Sequence, residues 1–152
     1  MLKSIKKDFV LCKKILFLDF DGVILSHKNN DLNSINSKLE LLDLIINKTN
    51  VHVIIHSSLK YKVQRILLNS SLKNKDKIIG TTLDTHVIKG GQIKNTIKKY
   101  NIDKFLVIDD DDTYICSEKH NYINKSNFYH INGDNGLTEE DADKIIAIIN
   151  NL

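Results

Sequence analysis

Short, almost continuous apolar runs constrain this chain more than any other feature. They are Ile15-Leu16-Phe17-Leu18, Val51-His52-Val53-Ile54-Ile55, Ile78-Ile79-Gly80-Thr81-Thr82 and Phe105-Leu106-Val107-Ile108, with Phe128-Tyr129-His130-Ile131 as a plausible fifth. A strand wetted on one face alternates apolar and polar residues, whereas a continuous run is expected of a strand covered on both faces. The second run is rich in β-branched residues, which suit a pleated, buried surface. Between the runs the period changes. Residues 39–46 and 59–68 carry apolar side chains at helical spacing, with Val63, Ile66 and Leu67 sharing one side of the second stretch. Gly90-Gly91 reads as a turn into a helix that carries Ile93, Ile97 and Tyr100 inward. The closing helix is signalled by Thr138 as N-cap, with Asp141 three residues on in an Asp variant of the capping box, and Ile145, Ile146, Ile148 and Ile149 facing the core.

Strands alternating with helices imply an α/β fold: a three-layer, Rossmann-like parallel sheet of about five strands joined by right-handed crossovers. At 152 residues, with no repeat, linker or break in composition, the expectation is one domain over residues 1–152. A chain of this size buries roughly two-thirds of its unfolded surface. Its 41% hydrophobic and 27% charged residues are an ordinary soluble balance.

In an open parallel sheet, ligands bind beyond the carboxyl ends of the strands. The first run is followed by Asp19-Phe20-Asp21-Gly22, the second by His56-Ser57-Ser58, and the fourth by Asp109-Asp110-Asp111-Asp112. Lys89 stands just before the Gly-Gly pair. Taken singly, each set has an ordinary explanation. Asp-x-Asp-Gly also builds turns, Ser57 or Ser58 also caps helices, an aspartate run also makes a solvated loop, and a lysine is a default surface residue. Together they converge on one rim. Carboxylates crowded after a buried strand repel one another unless a cation sits among them. Oxygen donors without a His or Cys cluster favour Mg²⁺ over zinc. A metal, a lysine, a hydroxyl and a nucleophilic carboxylate make up a phosphoryl-transfer site.

These stretches resemble the haloacid dehalogenase-like (HAD) superfamily. Phe17-Leu18-Asp19-Phe20-Asp21-Gly22-Val23 is similar to its first motif, Ile54-Ile55-His56-Ser57-Ser58 to its second, Lys89 to its basic third, and Val107-Ile108-Asp109-Asp110 to its acidic fourth. A narrower resemblance, to the HAD domains of Swiss Army Knife RNA-repair proteins, extends over most of the chain. It adds Ser57-Ser58-Leu59-Lys60, Ile79-Gly80-Thr81, Lys89-Gly90-Gly91-Gln92-Ile93 and Gly136-Leu137-Thr138-Glu139-Glu140-Asp141-Ala142. Lys60 and Lys89 stand where that group leads one to expect arginine. Lysine keeps the charge but not the bidentate hold on phosphate.

The resemblance implies a Mg²⁺-dependent phosphatase. Asp19 would be nucleophile and metal ligand. Asp21 would be acid–base, with its carbonyl on the metal. Ser57 would donate to a phosphoryl oxygen and Lys89 would balance charge. Asp109 is the preferred remaining metal ligand and Asp110 the next, while Ser58 and Lys60 would contact substrate. Asp111 and Asp112 are expected to cap a following helix. His27 and His56 are expected to be structural.

Residues 25–37 are too short and polar for a folded cap and read as a flap, so the site should be open to a large phosphorylated substrate such as a nucleic-acid end. A nucleotide or small-metabolite phosphatase, a phosphotransferase and a non-catalytic binding module are the alternatives. A net charge of +3 fits an anionic substrate, and the scattered lysines read as solvated surface. Two cysteines, Cys12 and Cys116, call for no disulfide framework. With no signal peptide and no run near the roughly 18–20 apolar residues of a membrane span, a cytoplasmic location without membrane partners is expected.

Overall fold

The computed structural model describes residues 13–58, 60–84, 88–113 and 123–152. Leu59, Cys12, Cys116 and any helix beyond Asp112 and Thr113 lie outside them.

Five parallel strands form the sheet: β1 (Ile15–Leu18), β2 (His52–Ile55), β3 (Ile78–Thr81), β4 (Phe105–Asp109) and β5 (Phe128–His130), in the order β3-β2-β1-β4-β5. Four helices connect and close them: α1 (Leu32–Thr49), α2 (Lys60–Asn69), α3 (Lys89–Tyr100) and α4 (Glu139–Asn150). A 3-10 turn, Lys75–Lys77, leads into β3. The chain order switches beside β1, so β1 lies in the middle with β2 and β4 on either side.

Strand parity sorts the core into two layers, because successive side chains point to opposite faces. Leu16, Leu18, Val53, Ile55, Leu106 and Ile108 pack on α1, α2 and α4. Ile15, Phe17, Ile54, Phe105 and Val107 pack with Ile93, Ile97 and Tyr100 of α3, and Phe17 meets Phe105 edge to face at 5.9 Å. Both faces of β1 are therefore covered, which is why its run is continuous.

Several boundaries differ from the sequence expectation. α1 starts seven residues before the expected stretch at residues 39–46, because Asp31 caps it by accepting from Ser34 N at 2.7 Å and Leu32 and Ile35 extend its apolar period. Much of the stretch expected as a flap is thus the first turns of α1, and residues 26–31 form the loop before it. Gly90-Gly91 is the buried first turn of α3 itself, not a turn before it. A residue in that turn makes close helix–sheet contact only if it is small. In α4 the capping box forms as expected, but Ala142, Ile145 and Ile149 are the buried residues, with Ile146 and Ile148 only partly buried. No cap domain is inserted among the described residues. None of their helices is long and apolar enough to cross a membrane.

Candidate active site

Register brings three side chains together at the carboxyl end of the sheet. Leu18 is paired with Ile55 on one side and Ile108 on the other. The next residue in each strand is Asp19, His56 and Asp109, and the ladder continues through Asp19 N to Ile108 O (3.1 Å) and His56 N to Leu18 O (3.0 Å). Parity turns all three toward the α3 face, where Lys89 is the first residue of the helix. Lys89 Nζ donates to Asp19 Oδ2 and lies 3.4 Å from Asp109 Oδ2. Asp19 is 1% exposed and Asp109 fully buried. Two buried carboxylates thus share one ammonium.

Their other oxygens accept backbone donors. Phe20 N donates to Asp19 Oδ1 at 2.7 Å, and Asp111 N to Asp109 Oδ1 at 3.0 Å. Burial by itself would raise the Asp19 pKa; His56 and Lys89 act the other way and hold it below the usual carboxylate value. His56 loses its proton near pH 4 because it is wholly buried, so Lys89 is the group that keeps Asp19 ionised at neutral pH. Burial likewise opposes the charge on Lys89, but Asp19 and Asp109 outweigh it and raise its pKa. Neutral His56 sets its Nε2 3.4 Å from the Ile108 carbonyl and its Nδ1 3.7 Å from Asp109 Oδ2.

Asp110 completes the group. One oxygen from each of Asp19, Asp109 and Asp110 lies within 4.8 Å of the others. Ligand oxygens of an octahedral Mg²⁺ at roughly 2.1 Å stand about 3–4 Å apart, so these carboxylates need only a small closure to share one. The donors are all oxygen, the surroundings are buried, and one lysine leaves the cluster with excess negative charge. The residues fit a hard divalent cation.

Asp110 is held from four directions, three at its carboxylate and one at its backbone carbonyl. His27 Nε2 lies 3.3 Å from its Oδ2, and His130 Nε2 lies 2.9 Å from its carbonyl oxygen. Gly22 (φ 76°) and Gly133 line the rest of its cradle. A Cβ on Gly22 would stand 2.1 Å from Asp110 Cγ, and one on Gly133 would stand 2.6 Å from both Asp110 Oδ2 and His27 Cε1.

Of the residues singled out in the sequence, Asp19, Lys89, Asp109 and Asp110 come together. Ser57 is buried one residue past His56, at the end of β2. The Asp21 side chain is exposed and stands outside the carboxylate cluster. Ser58 is exposed. Lys60 is ion-paired with Asp84 and reaches the Thr82 carbonyl at 3.5 Å, which ties the start of α2 to the end of β3. Asp111 accepts from Thr113 N at 3.0 Å and Thr113 Oγ1 at 2.7 Å. His27 and Gly133 escaped the sequence reading as site residues. His27 does lie shortly after the first motif, but nothing near Gly133 in the chain points to Asp110.

The family model for the HAD domain in Swiss Army Knife RNA repair proteins matches residues 15–142, which span β1 to the first turn of α4 and include every residue of the cluster. No curated protein and no solved structure matches the chain. A family of this kind points to phosphatase-type hydrolase chemistry and typically uses a metal ion.

Proposed function

This chain belongs to the family of HAD domains in Swiss Army Knife RNA repair proteins, and from that premise we propose that it is a Mg²⁺-dependent phosphomonoesterase acting through an aspartyl-phosphate. The observation that carries the reading is the buried Asp19 carboxylate, kept ionised by Lys89 beside Asp109 and Asp110.

Asp19 attacks phosphorus, forming a new P–O bond as the ester P–O bond breaks. Asp21, exposed two residues on, protonates the departing oxygen. It then takes a proton from the water that hydrolyses the aspartyl-phosphate and returns Asp19. Help of this acid–base kind is typically worth about 10²–10⁴-fold. Ser57 donates to a phosphoryl oxygen, and Lys89 offsets charge as it builds between Asp19 and the phosphate. Asp19, Asp109 and Asp110, with the Asp21 carbonyl, would hold Mg²⁺, which supplies neutralisation of the phosphoryl oxygens when bound. Asp109, the more buried of the two, is the preferred remaining ligand and Asp110 the next. Ser58 and Lys60 stand at the rim where a substrate would enter.

The lack of a cap among the described residues supports a phosphate carried on something large, and a nucleic-acid end is the favoured substrate. The test is phosphate release from 3′- and 5′-phosphorylated oligonucleotides beside small phosphorylated metabolites, with Mg²⁺. The expected result is turnover that Asp19→Asn abolishes while the fold is retained. A folded chain that hydrolyses no phosphoester would overturn the reading in favour of a binding module.

A further inference from the structure

The chemistry above leaves unused a groove of about 520 Å³ between α1 and α2. Leu32 and Ile35 of α1 and Ile66 of α2 give it an apolar lining, and Tyr61, Lys62 and Arg65 stand along its α2 side. Leu32 is 70% and Tyr61 90% exposed, so large side chains that are costly to leave in water are left there. Tyr61 and Arg65 are i,i+4 neighbours and Lys62 and Arg65 are i,i+3, which sets the ring and both cations on one side of the helix.

Charge limits what can occupy it. Lys62 and Arg65, like Lys48, Lys73 and Lys104, have no carboxylate partner among the described residues, and the groove's lining contains no acidic residue to offset them; Arg65 is the chain's single arginine. The occupant should therefore be anionic and present flat apolar faces. A second copy seated through the same face would bring like cations together. A single nucleic-acid strand fits both demands, since bases stack on aromatic rings while Lys and Arg follow the phosphates. The groove also opens toward the right edge of the sheet. α1 and α2 both start on the carboxyl side, after the segments that leave β1 and β2, but on the face opposite the one to which Asp19, Asp109 and Lys89 turn, so a strand lying in the groove would cross that edge to bring its terminus to Asp19.

We propose that the α1–α2 groove binds the single-stranded nucleotides adjoining the phosphorylated end, with Tyr61 stacking on a base and Lys62 and Arg65 on backbone phosphates. The proposal rests on the phosphatase reading only for what happens at the strand's terminus. It is tested by fluorescence anisotropy of the whole chain with a labelled ten-nucleotide single strand bearing no terminal phosphate. Tyr61→Ala should raise Kd roughly tenfold, in keeping with the loss of one stacked base. Arg65→Gln should lower the slope of log affinity against log salt by about 0.7, the value for one phosphate contact on a single strand. Both side chains are exposed, so circular dichroism should show an unchanged fold. Unchanged Kd and salt slope in both variants would overturn the proposal. So would a dimer in sedimentation that Tyr61→Ala dissolves, or tighter Tyr61-dependent binding of an acidic phosphopeptide. A chain that binds the strand through Tyr61 and Arg65 yet hydrolyses no phosphoester would uphold the groove and overturn the phosphatase reading instead.

Discussion

Gly22 sits at φ 76°, a left-handed conformation that costs any L side chain about 1–2 kcal/mol. Its missing Cβ is also the space in which the Asp110 carboxylate lies. Gly22→Ala therefore has two separable effects. Backbone strain should lower stability by about 1–2 kcal/mol, read from urea denaturation. The methyl group, 2.1 Å from Asp110 Cγ as things stand, must push Asp110 out of the carboxylate cluster. If the proposed function holds, Mg²⁺ should raise the melting temperature of the parent chain, and in Gly22→Ala that rise should be largely lost and phosphatase turnover should fall at least tenfold. A Gly22→Ala chain with parental Mg²⁺ response would show that Asp110 is no ligand. The same reasoning explains why the lone Lys89 sits where it does. A buried carboxylate pair without a cation would take up a proton, and the nucleophilic role proposed for Asp19 requires it ionised.

The elements owe their ends to single polar side chains. In α4, Thr138 Oγ1 accepts from Asp141 N at 3.2 Å while Asp141 Oδ2 accepts from Thr138 N at 3.0 Å, and Asp141 Oδ1 also accepts from the Tyr129 hydroxyl at 2.9 Å. Thr138→Ala removes the cap and loosens Asp141, so it should cost about 1–2 kcal/mol of stability, measured by thermal or urea unfolding, with phosphatase activity in the folded chain unchanged. A cost below a few tenths would mean the cap adds nothing to the packing of Ile145 and Ile149. This helix was legible in the sequence because cap and apolar period coincide. The start of α1 was not, although Leu32 and Ile35 continue the period of Leu39 and Leu42, because the polar Asn33, Ser34, Asn36 and Ser37 between them read as loop and mask the Asp31 cap. The site divides the same way. Asp19, Asp109 and Lys89 could be read from the chain because strand ends and a helix start fix them locally. Gly133 and His27 could not, because only the folded contact between two distant loops, sealed by His27 N to Gly133 O at 2.8 Å, sets them around Asp110.

At the scale of the molecule, two buried histidines on the α3 side of β2 make folding depend on pH. Burial lowers the pKa of His52 to about 4, helped by Lys13 and Lys77 and opposed by Asp76, and burial lowers that of His56 to about 4 as well. In the unfolded chain both should titrate near 6.5. Between about pH 4 and 6.5 the unfolded state therefore holds more protons than the folded one, and stability rises with pH across that window. The stabilisation is complete above about pH 6.5 and is lost as pH falls toward 4. Asp19, held below the ordinary carboxylate range, adds stabilisation that is lost only as pH falls through the unfolded carboxylate range toward its lower folded value, so it steepens the curve at the acid end of this window and leaves the part above about pH 5 to the histidines. Urea denaturation of the metal-free chain at half-unit steps should thus give a stability curve falling from pH 6.5 to 4 with a slope approaching two protons. In His52→Gln the slope should drop by about one proton, while stability above pH 7 stays nearer the parent's than at pH 5. A parental slope in His52→Gln would mean that His52 is protonated in the folded state, and that the charged groups around it, Lys13 and Lys77 against Asp76, do not balance as described.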